Sequence, residues 1–139
     1  MTVNGWLIDS NIFIDIARQN QNFAGWSAEQ LKRAIRAEGA ALNQIIYAEV
    51  VLAFGDPPQF DTLYPPRMVR RVELPWEAAE VAARAYQRYL RYGGKRPKVL
   101  PDFYIGAHAQ VAGCGVMSRD PSPFRTYFPN VPLITVEKD

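Results

Sequence analysis

The apolar positions of this chain fall into short runs and helical stripes that alternate along its length. Trp6, Leu7 and Ile8 form a brief apolar run that stops at Asp9, and from Ser10 the spacing of Ile12, Phe13, Ile16 and Ala17 is that of a helix. Ser27, placed before Gln30 at capping-box spacing, predicts a second helix beginning at Ser27, with Leu31, Ala34 and Ile35 facing the core and Gly39 marking its end. Segment 40–42 reads as a buried strand. Ile46, Val50 and Phe54 then define a helix from Gln44, closed by Gly55 and the pair Pro57 and Pro58, with Glu49 inside it. Segment 59–68 is weakly helical at best, because Pro65 and Pro66 interrupt it, and 69–74 has strand character. Pro75 suits the first position of a long helix whose core stripe is Trp76, Ala79, Ala83, Tyr86 and Leu90, stopped by Gly93 and Gly94. Pro101 and Asp102 open a further helix with Ile105, Ala109 and Ala112 on one face, and Gly113 ends it. Strands at 116–118 and 131–136 complete the pattern. Strands alternating with helices throughout predict one α/β domain over residues 1–139, a sandwich around a mainly parallel sheet with right-handed crossovers.

Composition narrows what such a domain can do. With 139 residues and 48% hydrophobic positions the chain can bury a core, and 22% charged residues with a net charge of +2 exclude both a disordered chain and a strongly polycationic binder. Any nucleic-acid surface must therefore be local. The single cysteine, Cys114, cannot form an internal disulfide, which points to a reducing compartment. Segment 1–8 lacks the pattern of a signal peptide, and no run approaches the roughly 20 apolar residues of a membrane span. The expectation is a soluble cytoplasmic protein with no membrane partner. Basic residues concentrate in one stretch, Arg84, Arg88 and Arg91 along a helix and then Lys95, Arg96 and Lys98 in the loop before Asp102. On the helix they read first as a solvated face; in the loop they read as an RNA-backbone contact.

Four acids stand apart from the rest. In an open parallel sheet ligands bind beyond the carboxyl ends of the strands, and Asp9 and Asp120 both follow short apolar strands closely enough to project there. Asp102 falls at a helix start, where the dipole favours negative charge. Taken singly, each has an ordinary reading as a cap or turn residue. Glu49, among Tyr47, Ala48, Val50 and Val51, either reaches a cation or escapes to the solvent side of its helix, and the sequence leaves both open. Asp15, Asp56, Asp61, Glu29, Glu38, Glu73, Glu77 and Glu80 read as solvated faces or caps. His108, a lone imidazole, reads as packing or surface, and Trp76, Tyr86 and Tyr89 as core or interface before base stacking.

The segment Leu7-Ile-Asp-Ser-Asn-Ile-Phe-Ile-Asp15 resembles the opening motif of PIN-domain ribonucleases, and in particular the VapC-type toxins of type II toxin–antitoxin systems. Glu49 within Ile-Ile-Tyr-Ala-Glu-Val, Asp102 within Leu-Pro-Asp-Phe-Tyr-Ile-Gly-Ala-His-Ala and Asp120 within Val-Met-Ser-Arg-Asp-Pro match the family's later acids in order. The resemblance spans nearly the whole chain. It implies a PIN-like α/β/α sandwich with a central five-stranded, mainly parallel sheet. It also implies that Asp9, Glu49, Asp102 and Asp120 are catalytic, metal-binding acids, with Asn11 and Ser118 supporting them by hydrogen bonds. Oxygen-only donors favour magnesium or manganese over zinc.

The activity implied is hydrolysis of RNA phosphodiesters by metal-activated water, leaving 5′-phosphate and 3′-hydroxyl ends. The partners implied are an RNA substrate, a cognate antitoxin that inserts a cation among the acids, and a second copy in a homodimer. Two other classes compete. A haloacid-dehalogenase-like phosphatase also has an acid after its first strand but needs a second Asp where this chain has Asn11. A PIN-like module without turnover, binding only RNA or protein, is the other, and the presence of all four acids argues against it.

Overall fold

The structure is a computed structural model that describes residues 4–96 and 99–136. Strand β1 (Trp6–Ile8) runs into helix α1 (Ser10–Ala17), as the apolar run and the stripe after it predict. Helix α2 (Ala24–Arg36) begins ahead of Ser27, the expected cap. The turn before it explains why: Asn20 Oδ1 accepts from the amides of Asn22 (2.9 Å) and Phe23 (3.1 Å), so the chain is already turning when it reaches Ala24. Ser27 is thereby buried inside the helix, and its hydroxyl finds no partner among the described residues.

Strand β2 (Ala40–Leu42) leads into α3 (Gln44–Phe54), capped by Asn43, whose Oδ1 accepts from Ile46 N at 3.0 Å. Helix α4 (Pro57–Leu63) is better formed than the sequence suggests. Pro57 and Pro58 occupy the first turn, where no N–H is needed, and Asp56 Oδ1 accepts from Gln59 N at 3.1 Å, so the prolines that close α3 also open α4. Strand β3 (Val69–Arg71), helix α5 (Trp76–Arg91) and helix α6 (Leu100–Ala112) follow. Gly113 ends α6 at φ 71°, a conformation that glycine adopts without steric penalty. Strand β4 (Gly115–Met117) sits one residue earlier than expected. Helix α7 (Ser122–Tyr127) is an element the apolar pattern does not predict, and β5 (Leu133–Ile134) is shorter than the expected 131–136.

The five strands form one sheet in the order β3-β2-β1-β4-β5, every pairing parallel, with helices on its faces in an α/β/α sandwich. β1 is central, flanked by β2 and β4. Its register with β4 puts Gly115 opposite Trp6, and a Cβ at 115 would stand 2.3 Å from the indole, so glycine is what lets the two strands pair there.

The stripe expected to bury α5 is not the buried one. Trp76 is 90% exposed and Leu90 49% exposed, whereas Ala78, Ala82 and Ala85 are buried. The reason lies in the neighbour: α5 packs along α6, and three alanines allow two backbones to approach where larger side chains would hold them apart. Tyr86 and Tyr89 then lean across to Phe103 of α6, with ring centroids 5.8 and 5.6 Å away. On α6 itself Ile105 and Ala109 are buried as expected, but Ala112 is exposed. Gly106 makes room for the buried Phe128 ring, which a Cβ there would meet at 2.4 Å. No helix among the described residues is long and apolar enough to cross a membrane.

Candidate active site

Asp9 and Asp120 lie beyond the carboxyl ends of the adjacent strands β1 and β4, and Glu49 and Asp102 are carried by α3 and α6. Asp9 follows β1 directly and caps α1: its Oδ1 accepts from Ser10 N at 2.8 Å, while its backbone amide donates to Met117 O of β4 at 2.9 Å. Its other oxygen, Oδ2, accepts from Ser118 Oγ at 2.8 Å and from Asn11 Nδ2 at 3.3 Å. The two side chains matched as supports therefore both reach the same carboxylate oxygen. The Ser118 hydroxyl is fully used, since it also accepts from Asn11 Nδ2 and from Asp120 N, each at 3.1 Å. Asp9 is 4% exposed, and burial, with the charge of Asp120 adding to it, raises its pKa despite the bonds from Ser118 and Ser10.

Glu49 is carried by α3. It is half-buried, and its Oε1 accepts from Ser10 Oγ at 3.3 Å, which turns it toward the mouth of β1. Burial and the charge of Asp9 raise its pKa. Asp102, in the first turn of α6, is pushed up to about 8, first by burial and then by the charges of Asp9, Glu49 and Asp120, with Arg96 opposing them. That one carboxyl senses the other three acids is the electrostatic signature of a shared crevice. Among the described residues no group of three or more His, Cys, Asp or Glu side chains is gathered tightly enough to hold a metal ion, so the acids are neighbours rather than an assembled cage.

Lys95 and Arg96 are exposed in the loop before α6, and Lys98 lies outside the described residues. The loop is seated on Tyr89: the Arg96 amide donates to its hydroxyl at 3.0 Å, and Gly94 passes where a Cβ would meet its ring at 2.4 Å. On α5, Arg84 pairs with Glu80 at 2.9 Å in full solvent, an ordinary helix-surface contact of little energetic consequence. His108 is buried, its Nδ1 3.0 Å from Asn43 Nδ2, and burial lowers its pKa. It is a packed neutral imidazole.

Asp15, expected on a solvated face, is instead buried at 3% exposure and ion-paired with Arg119 Nε at 2.5 Å. Sequence reasoning missed this pair and also missed Ser10, which serves both Asp9 and Glu49. The signal for Ser10 was its place directly after the acid that caps α1. For the pair it was Asp15 lying one helical turn after Asn11, opposite an Arg adjacent to Asp120. Asp61 is likewise paired, with Arg71 at 2.8 Å, beside a cavity of about 580 Å³. That cavity lies at the carboxyl ends of β2 and β3, and none of the four acids lines it.

An α/β/α sandwich with acids crowded at the mouth of its central strands is the arrangement of a PIN domain. The PIN domain family model matches residues 6–129, and the chain belongs to this family of nucleases. Among solved structures it is similar to a chain of VapBC2 from Rickettsia felis bound to a fragment of its promoter DNA, at TM-score 0.72 and 12% identity, covering 95% of this chain and 98% of that one. It is also similar to VapBC-1 from nontypeable Haemophilus influenzae (TM-score 0.71, 15% identity, 94% and 96% covered) and to FitAcB from Neisseria gonorrhoeae (TM-score 0.70, 20% identity, 92% and 95% covered). Compared by sequence with curated proteins, the chain has no match.

The crowding has a consequence for stability. Without a cation the folded protein keeps a proton on Asp102 up to about 8, whereas an unfolded chain releases it near the ordinary carboxyl value of 3.8. Between those values the native state holds more protons than the unfolded one, so this group makes stability fall as pH rises across the window. Asp102→Asn keeps the shape and removes the charge. It is expected to flatten that slope and to stabilise the metal-free protein at pH 8 by about 1–3 kcal/mol. Urea denaturation of both proteins at pH 5 and pH 8, in chelator, measures the effect; equal slopes would dismiss the crowding.

Proposed function

We propose that this chain is a divalent-metal-dependent endoribonuclease, the VapC-type toxin of a toxin–antitoxin pair. The observation that carries the reading is the placement of Asp9 at the carboxyl end of β1, held by Ser10, Asn11 and Ser118, with Glu49 turned toward it through Ser10 and with Asp102 and Asp120 near enough for their charges to act on one another. Membership of the PIN family supports the nuclease, and the likeness to chains of VapBC and FitAcB supports the pairing with an antitoxin.

Asp9, Glu49, Asp102 and Asp120 would hold the cation. Their donor set fits one: it is all oxygen, with neither thiolate nor imidazole at hand, which suits magnesium or manganese. A cation held there would supply the charge that acidifies a water for attack on a phosphodiester and offsets negative charge on the phosphoryl oxygens. The chain's own part is orientation. Ser118, Asn11 and the Ser10 amide fix both oxygens of Asp9, and the Ser10 hydroxyl turns Glu49 toward it. Asp102 gives up its proton as positive charge arrives. No side-chain nucleophile is needed, and the products carry 5′-phosphate and 3′-hydroxyl ends by family resemblance. Lys95 and Arg96, with Lys98, contact the RNA backbone beside the acids, a sequence-independent contribution to affinity. A cytoplasmic site of action accords with the single unpaired cysteine, Cys114.

The antitoxin sets an arginine or similar cation among the acids, relieving the same repulsion that a metal relieves. A second copy packs on α5. Its exposed stripe, Trp76, Ala83 and Leu90, is spaced evenly about Ala83, and α5 is acidic in its first half (Glu77, Glu80) and basic in its second (Arg84, Arg88, Arg91). An antiparallel copy therefore places Trp76 beside Leu90 and acid beside base, the self-complementary arrangement that a twofold axis requires.

Asp9→Asn and Asp102→Asn are each expected to lower metal-dependent RNA cleavage by roughly 100- to 1,000-fold with the circular dichroism spectrum unchanged, the size of effect expected where a metal contributes several kcal/mol. Calorimetry with Mn²⁺ and Mg²⁺ separates this from a PIN-like module without turnover, which should bind neither appreciably; retained cleavage in both variants refutes the assignment. For the loop, Lys95→Ala with Arg96→Ala should reduce the slope of log affinity against log salt by about two, and an unchanged slope takes the loop out of the RNA contact. For the dimer, Trp76→Glu with Leu90→Glu should sediment as a monomer where the parent chain sediments as a dimer. A parent that is itself monomeric removes α5 as an interface.

A further inference from the structure

Of the four acids, Asp120 alone neither rides on a helix nor caps one. It sits beyond β4 in an irregular stretch, half-buried, and its carboxylate has one long bond, accepting from Ser122 N at 3.4 Å. Asp9 has its own cap and two side-chain donors, Glu49 and Asp102 ride on helices, but the stretch that carries Asp120 belongs to no helix or strand. Left alone, Asp120 would be free to move away from Asp9, since like charges on the two carboxylates repel.

What opposes that movement is the residue before it. Arg119 reaches back to α1, where its Nε meets Asp15 Oδ2 at 2.5 Å. Asp15 is 3% exposed, so its charge is compensated inside the protein rather than by water, and Arg119, at 35% exposure, sets its guanidinium over the Phe23 ring with 5.0 Å to the centroid. The backbone of the same residue is held too: Arg119 N donates to Asn11 Oδ1 at 3.3 Å, one turn of α1 before Asp15. Side chain and amide of one residue thus grip the same helix at two successive turns. Between them Asp120 N is fixed on Ser118 Oγ at 3.1 Å.

We propose that Arg119 is a positioning residue: through its ion pair with buried Asp15 it clamps segment 118–120 onto α1 and so holds Asp120 against the repulsion of Asp9. The clamp rests on the nuclease reading for its purpose but not for its geometry. It gives the acid cluster a side wall, and it pairs its cation directly with Asp15 while acting on Asp9 as the smallest of the influences on that carboxyl, so the acids stay available to a divalent ion. Segment 118–120 and α1 then behave as one unit, and the position of the fourth acid depends on a helix far away in sequence.

The direct variant, Arg119→Ala, strands the buried Asp15 charge and risks unfolding. The informative protein is the double variant Asp15→Asn with Arg119→Gln, which removes both charges and leaves groups that can still hydrogen-bond; Arg119→Lys, which keeps the charge but loses the planar stack on Phe23, accompanies it. In metal-free protein, amide hydrogen exchange at Arg119 and Asp120 is expected to quicken at least about tenfold in the double variant while β1 and α6 amides stay protected. Mn²⁺ affinity by calorimetry is expected to fall about 10- to 100-fold, the range seen when a group that orients a ligand is lost. Arg119→Lys should recover part of both. A double variant with parental exchange at 119–120 overturns the clamp, and so does one that exchanges faster but binds Mn²⁺ like its parent. A parent chain that binds no Mn²⁺ counts against the nuclease reading instead, while the exchange rates still decide the clamp.

Discussion

Like charge crowded at one edge of a parallel sheet is the constraint on which this structure turns. β1 lies at the centre of the sheet, so Asp9 leaves its carboxyl end with a strand on either side and almost no access to water. A carboxylate in that place needs donors, and the chain supplies them from three residues: the Ser10 amide, Asn11 and Ser118. These bonds fix more than one side chain. They tie the start of α1 to the end of β4, which the main chain also joins through Asp9 N and Met117 O. Orientation of the acid and closure of the central strand pair are one network.

The second constraint follows from the first. Once Asp9 is held, burial and the charges of neighbouring acids raise the proton affinity of Asp9, Glu49 and Asp102, and at Asp102 burial and three charges push the pKa up to about 8. The fold answers with positions rather than with cations. Glu49 and Asp102 are borne by helices whose packing in the core does not depend on where their carboxylates point: α3 buries Ile46 and Val50, and α6 buries Phe103, Ile105 and Ala107. The apolar faces supply the stability that the acidic ends oppose. Arg96 offsets part of the charge at Asp102, and Arg119 is engaged by Asp15. The net negative charge of the mouth is therefore a property of the fold, available to whatever cation arrives.

Much of this could be read from the chain. The strand–acid–helix succession at 6–17 was legible because a three-residue apolar run and an i, i+3, i+4 stripe leave little choice of period, and Asn43 before Gln44 and Gly113 after Ala112 delimit helices by plain capping chemistry. Asp9, Asp120 and Asp102 were legible as candidates from their places after strands and at a helix start, and Glu49 from its apolar setting inside a helix, although only the fold makes them neighbours. What was not legible had physical causes. On α5 the sequence offers two stripes, one of large apolar residues and one of alanines, and hydrophobicity favours the first. Close approach to α6 selects the second, which a single helix cannot reveal. The α2 boundary was set by an Asn20 turn rather than by the Ser27 spacing. Helix α7 and the two-residue β5 are too short for periodicity to detect.

The residues that sequence reasoning put on the surface are the ones that say most about how the site is held. Asp15 was assigned to solvent because an acid one turn into a helix ordinarily points there, yet it is buried against an arginine more than a hundred positions away. Two acids of α1's neighbourhood thus have opposite treatments. Asp9 is neutralised by dipoles and keeps its charge available; Asp15 is neutralised by a full cation and gives up any other role. A site that must bind metal needs the first kind at its centre and can use the second only at its border, because a guanidinium placed among the four acids would compete for the oxygens that a divalent ion requires. The arrangement of Arg119, paired with Asp15 on α1 while the charge of its neighbour Asp120 acts on Asp9 and Asp102, follows from that division.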